Sequence, residues 1–111
     1  MKISEVTSLD KWGELTKDKV LFPKVLAFAK TSHNIESVEF LTSMKSGAKS
    51  KLAYEKYIKT GAPKEVNLSM ELAKKFHAVA AQPKPDWSKA PWDAATTEVL
   101  RLFRTNFTKV V

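Results

Sequence analysis

Tyr54-Glu55-Lys56-Tyr57-Ile58-Lys59-Thr60-Gly61-Ala62-Pro63-Lys64-Glu65-Val66-Asn67-Leu68 is the stretch on which the reading of this chain turns. Its first part reads as the end of an amphipathic helix, because Tyr54, Tyr57 and Ile58 stand at i, i+3 and i+4 and share one face. Gly61 suits a helix end that needs positive φ, and Pro63 forbids continuation because it lacks an N–H. The segment from Lys64 to Leu68 then sets one amide side chain between two apolar anchors. Val66 and Leu68 are expected to pin the loop to the core, while Asn67 offers donors and an acceptor. An Asn so held is either a contact residue or a cap or turn residue for the next helix, and the residues alone leave both readings open.

Outward from this stretch, the chain shows helical period on both sides and no sustained strand alternation, so the expected class is all-α. Residues 8–17 open with Ser8, a good N-cap, and carry Leu9, Trp12 and Leu15 or Thr16 at helical spacing, weakened by Gly13. Residues 20–32 place Pro23 in a first turn and set Phe22, Val25, Leu26 and Ala29 in one stripe broadened by Leu21 and Phe28, the pattern of a well-buried helix. Residues 34–46 carry Ile35, Val38, Phe40, Leu41 and Met44, with Asn34 as the expected N-cap and Glu36 and Glu39 in the first turn. Lys45 to Lys51, with Gly47, reads as a tight junction into a helix over residues 49–60.

Residues 69–82 give the cleanest helix, capped by Ser69, with Leu72, Ala73, Phe76, Val79 and Ala80 on one face. Residues 83–91 contain three prolines and cannot form a long helix, so Trp87 is expected to pin that loop to the bundle. Residues 92–110 form the last helix, with Trp92, Ala95, Val99, Leu102 or Phe103 and Val110 tracing an apolar face widened by Leu100 and Phe107. Phe28, Phe40, Tyr57 and Phe76 are the expected aromatic core.

The length of 111 residues suits one domain spanning 1–111, long enough to bury a core without staples. Without cysteine there is no disulfide, thiolate nucleophile or Cys-based metal site. No apolar run reaches the length of a membrane span, and the first residues lack a signal-peptide core, so a cytoplasmic chain is expected. The balance of 19 basic to 12 acidic residues gives +7, and Arg101 and Arg104 are the sole arginines. A scattered lysine excess favours weak attraction to acidic partners or anionic surfaces, and specific nucleic-acid binding is not expected. A monomer is expected. His33 and His77 have no second ligand at metal spacing and no evident acid partner, so neither a metal nor a cofactor is expected. No nucleophile–base pair can be assembled, so the chain is not expected to be an enzyme through its own side chains.

A Tyr, two residues, an aromatic–Ile pair and a short loop ending in Lys-Glu-Val-Asn-Leu resembles the signature of the regulators of G-protein signalling, the RGS domain. Residues 25–41 are similar to a second family pattern, in which a Phe and a short polar segment precede Glu-Asn-Ile-(acid)-Phe-Trp. Here Phe28 is followed by Glu36-Ser37-Val38-Glu39-Phe40-Leu41. Ser37 stands where the family has Asn, and Leu41 where it has Trp. Near the C-terminus, Thr105-Asn106-Phe107-Thr108-Lys109 falls where the family carries Asp-Ser-Tyr-x-Arg. Phe107 agrees, Asn106 and Lys109 are loosely similar, and that contact patch is not reproduced.

The resemblance implies a bundle of short helices in two lobes. It also implies a partner surface of Glu36, Ser37, Lys64, Glu65, Asn67 and Leu68, with Asn106 and Lys109, facing a Gα-type GTPase. Such a domain holds the GTPase switch loops in their transition-state arrangement and donates no catalytic group. A second reading is an RGS-fold interaction or scaffold module without GTPase activation, which the Ser37 and C-terminal departures favour. An unrelated basic helical protein bound to nucleic acid would explain none of the match at Lys64 to Leu68.

Overall fold

Ser8 starts the first helix as expected: its Oγ accepts from the Lys11 N–H at 3.3 Å and opens α1, Leu9–Thr16. The computed structural model describes residues 1–32 and 34–108; among these there are helices and no strand. α2 (Leu21–Thr31) and α3 (Ile35–Lys45) follow. α4 begins at Lys51–Ala53 and continues without a break as a π-helical stretch, Tyr54–Ile58. α5 (Met70–Ala80) and α6 (Trp92–Asn106) complete the bundle. Single 3₁₀ turns occupy Ile3–Glu5 and Trp87–Lys89.

Two helix entrances differ from the sequence reading. Asn34 precedes α3 but makes no side-chain cap; its Nδ2 donates to Ser32 Oγ at 3.1 Å. Glu36 lies in the first turn of α3, but Glu39 belongs to the second turn and pairs with Lys64 instead. α2 is capped by a residue the sequence reading passed over. The Asp18 carboxylate accepts from the Val20 and Leu21 N–H groups at 3.0 and 2.8 Å. Those bonds, Leu21 first, hold the Asp18 carboxyl below its ordinary value.

A depressed folded pKa means that the cap stabilises the fold above the unfolded carboxyl value, about 3.9, and is lost as pH falls through the folded value. Asp18→Asn is therefore expected to lower the melting temperature at neutral pH and to flatten its decline on the acid side. Thermal melts of both proteins between about pH 2 and 6 check this. Parallel acid limbs would show that the cap does not titrate with folding.

The buried residues form one connected cluster running from Ile3 to Phe107. Trp12 and Phe103 are fully buried and meet edge to face at 5.1 Å, with Phe22 on the other side of Trp12 at 6.2 Å. Phe107 stacks on Phe103 at 4.5 Å and touches Phe28 at 5.1 Å. These contacts gather α1, α2 and the C-terminal half of α6 at one end. At the other end Phe76 meets Trp92 at 4.9 Å, and Trp87 lies over Tyr54 at 4.9 Å. Trp92 and Phe103 are separated along α6 by about 16 Å, from the 1.5 Å rise per residue. Phe40 joins the ends by its edge contact with Tyr57 at 5.5 Å.

Phe40, Tyr57 and Phe76 are core residues as expected, and Phe103 rather than Leu102 faces inward. Phe28 corrects the list: it is half-buried against the core, as are Phe22 and Leu26, so only Val25 and Ala29 of α2 are fully enclosed. Val110 lies outside the described residues.

Gly13 has a packing reason. A Cβ there would stand 2.9 Å from Lys45 Cε, where α1 crosses α3. The obstructing atom is the end of a flexible side chain, whose exposed ion pair with Asp10 at 3.2 Å contributes little. The helix-propensity gain therefore wins, and Gly13→Ala is expected to stabilise the protein by about 0.5–1 kcal/mol. Urea unfolding reads this directly; a loss of stability would mean that the helices cannot accommodate even a displaced Lys45.

Candidate functional site

The end of α4 determines how its loop is held. Lys59 N–H reaches back to the Tyr54 carbonyl at 2.9 Å, closing the wide π turn. A helix end leaves carbonyls without partners. Here the returning chain supplies them: Lys64 N–H donates to the Lys56 carbonyl at 3.0 Å, and Val66 N–H to the Tyr57 carbonyl at 2.8 Å. Gly61 turns the chain with φ +81, as its position predicts, and its N–H donates to Glu65 Oε1 at 3.0 Å. Val66 is buried and Leu68 half-buried, so both apolar anchors face the bundle.

This geometry removes Asn67 as the side-chain cap of α5. The α5 cap is Ser69, whose Oγ accepts from the Leu72 N–H at 3.4 Å. Asn67 is exposed and its side chain makes no hydrogen bond among the described residues. Glu65, Val66, Asn67 and Leu68 together line a surface recess of about 240 Å³.

The loop is tied to two other helices. Lys64 Nζ lies 3.9 Å from Glu39 Oε1 on α3. At its other end, Ser69 N–H donates to Glu98 Oε1 on α6 at 2.7 Å. Glu36 precedes Glu39 by three residues, so it rises on the same side of α3. Glu36 and Ser37 are both half-buried in the first turn. The structure thus brings Lys64 to Glu39 and sets Glu65, Asn67 and Leu68 along one recess, with Glu36 a turn earlier on α3.

Lys64 and Glu65 are partly engaged within the protein, by Glu39 and by the Gly61 N–H. Asn106 is the exposed last residue of α6, two turns beyond Glu98, and Lys109 lies outside the described residues. Sequence reasoning missed Glu39 and Glu98 as the residues that hold the loop. Their only signal was opposite or complementary polarity across long sequence separations.

Among the described residues there is no group of three or more His, Asp or Glu that could hold a metal ion. His77 bonds Tyr54 through Nδ1 at 2.6 Å, and His33 lies outside the described residues. No described helix is long and apolar enough to cross a membrane. What the loop can do chemically is offer a neutral amide, carried on a held backbone beside the apolar Leu68, to another surface. No family model, no curated protein and no solved structure matches this chain.

Proposed function

We propose that this chain is an RGS-like module that binds a Gα-type GTPase and speeds GTP hydrolysis by steadying its switch loops. The observation that carries this reading is the 59–69 loop. It is bonded to α3 at Lys64 and to α6 at Ser69, and it turns Asn67 outward between seated apolar neighbours. An amide held in that way can bond both donors and acceptors of a switch segment without titrating. The half-buried Glu36 would accept from the same partner, and Leu68 would seat an apolar side chain. The aromatic contacts at two ends of α6 support a two-lobed bundle. In such a mechanism the module contributes preorganisation and the GTPase supplies the chemistry.

Single-turnover GTP hydrolysis by a panel of Gα subunits, with and without this protein, tests the proposal. Faster hydrolysis and tighter binding to the GDP–aluminium fluoride form are expected. Neither effect with any subunit would remove the G-protein reading. Binding without acceleration would favour the scaffold reading, to which Ser37 in place of an Asn lends weight: a hydroxyl reaches less far and offers one donor rather than two.

A further inference from the structure

A second cavity, of about 540 Å³, opens on the side of α4 that bears Tyr54. Its walls are Tyr54, Trp87, Pro83 and Pro85, and Lys51 and Lys59 stand at its rim. That volume is within the range of small-molecule sites, and the mixture of an apolar body with a few polar groups is their usual composition. We propose that this cavity binds a small planar aromatic anion, such as an aryl carboxylate.

The walls are held in place before any ligand arrives. The Tyr54 hydroxyl lies 2.6 Å from His77 Nδ1, and the two rings meet edge to face. Burial raises the Tyr54 phenol above its ordinary value, so the hydroxyl keeps its proton and shares a hydrogen bond with that nitrogen. The Trp87 backbone carbonyl accepts from Trp92 Nε1 at 2.8 Å, which anchors the loop at a buried tryptophan. Pro83 and Pro85 restrict the remaining backbone. Rings fixed in this way lose little further freedom on binding. Trp87 packs over the buried Tyr54 ring with planes inclined by 35° and centroids 4.9 Å apart, so Tyr54 backs Trp87 and the Trp87 face turned away from it is the one open to a flat ligand. Trp87 remains half-buried and therefore reachable.

The sign of charge follows from the rim. Glu55 also lines the cavity, but its Oε1 is 3.8 Å from Lys51 Nζ and is offset by it. Lys59 has no carboxylate within ion-pair distance among the described residues, which leaves one uncompensated cation. An aromatic carboxylate fits both features, with its ring over Trp87 and its carboxylate toward Lys59. The π turn gives this side of α4 its shape, and such turns recur at functional sites.

The test is titration of the ¹⁵N-labelled protein with 2-naphthoate, followed by amide and indole chemical shifts. Saturable shifts at Trp87, Lys59 and Gln82 are expected, with a dissociation constant on the order of 1 mM or below. The uncharged 2-naphthalenemethanol is expected to bind at least about fivefold more weakly, and Lys59→Glu to weaken 2-naphthoate by at least about fivefold with an unchanged circular dichroism spectrum. Lys59 is exposed, so its substitution is expected to leave the fold intact. Absence of saturable shifts up to about 10 mM, shifts that map elsewhere, or equal affinity of the Lys59→Glu protein would each overturn the proposal.

Discussion

Phe40→Ala is expected to destabilise the protein by about 3–5 kcal/mol, a large share of the total for a domain of this size. Phe40 is fully buried, and its ring meets Tyr57 edge to face. Removing it takes away the ring's transfer energy and leaves a hole between α3 and α4 that fixed helices cannot close. The damage reaches the loop as well. Tyr57 is held from one side by Phe40 and from another by its hydroxyl contact with Ser43 Oγ at 3.0 Å, and its carbonyl accepts from Val66. Phe28→Ala is the useful comparison. Phe28 is half-buried, so it should cost clearly less although the atoms removed are the same. Urea titration of the three proteins decides this; a Phe40→Ala midpoint equal to wild type would mean that the ring is not in the core.

Asn67→Ala is the second large effect, and it is functional. If the protein activates a GTPase, loss of the amide should leave partner groups unsatisfied at a cost of about 1–3 kcal/mol. Placed in the transition state, that loss slows single-turnover hydrolysis by roughly five- to hundred-fold. Stability should hardly change, because Asn67 is exposed and its side chain bonds nothing among the described residues. That contrast separates a contact residue from a structural one. A variant with unchanged GTPase acceleration would take Asn67 out of the interface, and a variant that melts early would show that the amide holds the loop. Glu36→Ala should act in the same direction but more mildly, since water partly replaces a half-exposed carboxylate.

The features that were legible before the structure all depend on a few consecutive residues. Ser8 and Ser69 cap the helices they precede, Gly61 turns with positive φ, Pro23 sits in a first turn, and Trp87 packs its proline-rich loop onto the bundle. Each is decided by local sterics or by periodicity, which a single chain displays openly. Asp18 carries the same kind of local signal, an acid three residues before the helical run. Asn34 shows the limit of such reasoning. It occupies a cap position, but its amide turns to Ser32 Oγ, because two polar partners compete for one side chain.

By itself, then, the sequence determined an all-helical chain, the approximate helix limits and most of the core face. Only the tertiary structure decided which residues hold the 59–69 loop. Lys64 pairs with Glu39, Ser69 with Glu98 and Tyr54 with His77 across 25, 29 and 23 positions of sequence. Likewise, Arg104 reaches the Val6 carbonyl across 98 positions. The π turn at Tyr54–Ile58 is closed locally by the Lys59 N–H, and the folded-back loop then satisfies the Lys56 and Tyr57 carbonyls through Lys64 and Val66. Asn67 also depends on the fold: Ser69 takes the cap and Val66 takes the core, and the amide is left facing outward. Local preference cannot select among such partners, because their encounter depends on how whole helices pack and not on what lies beside them in the chain.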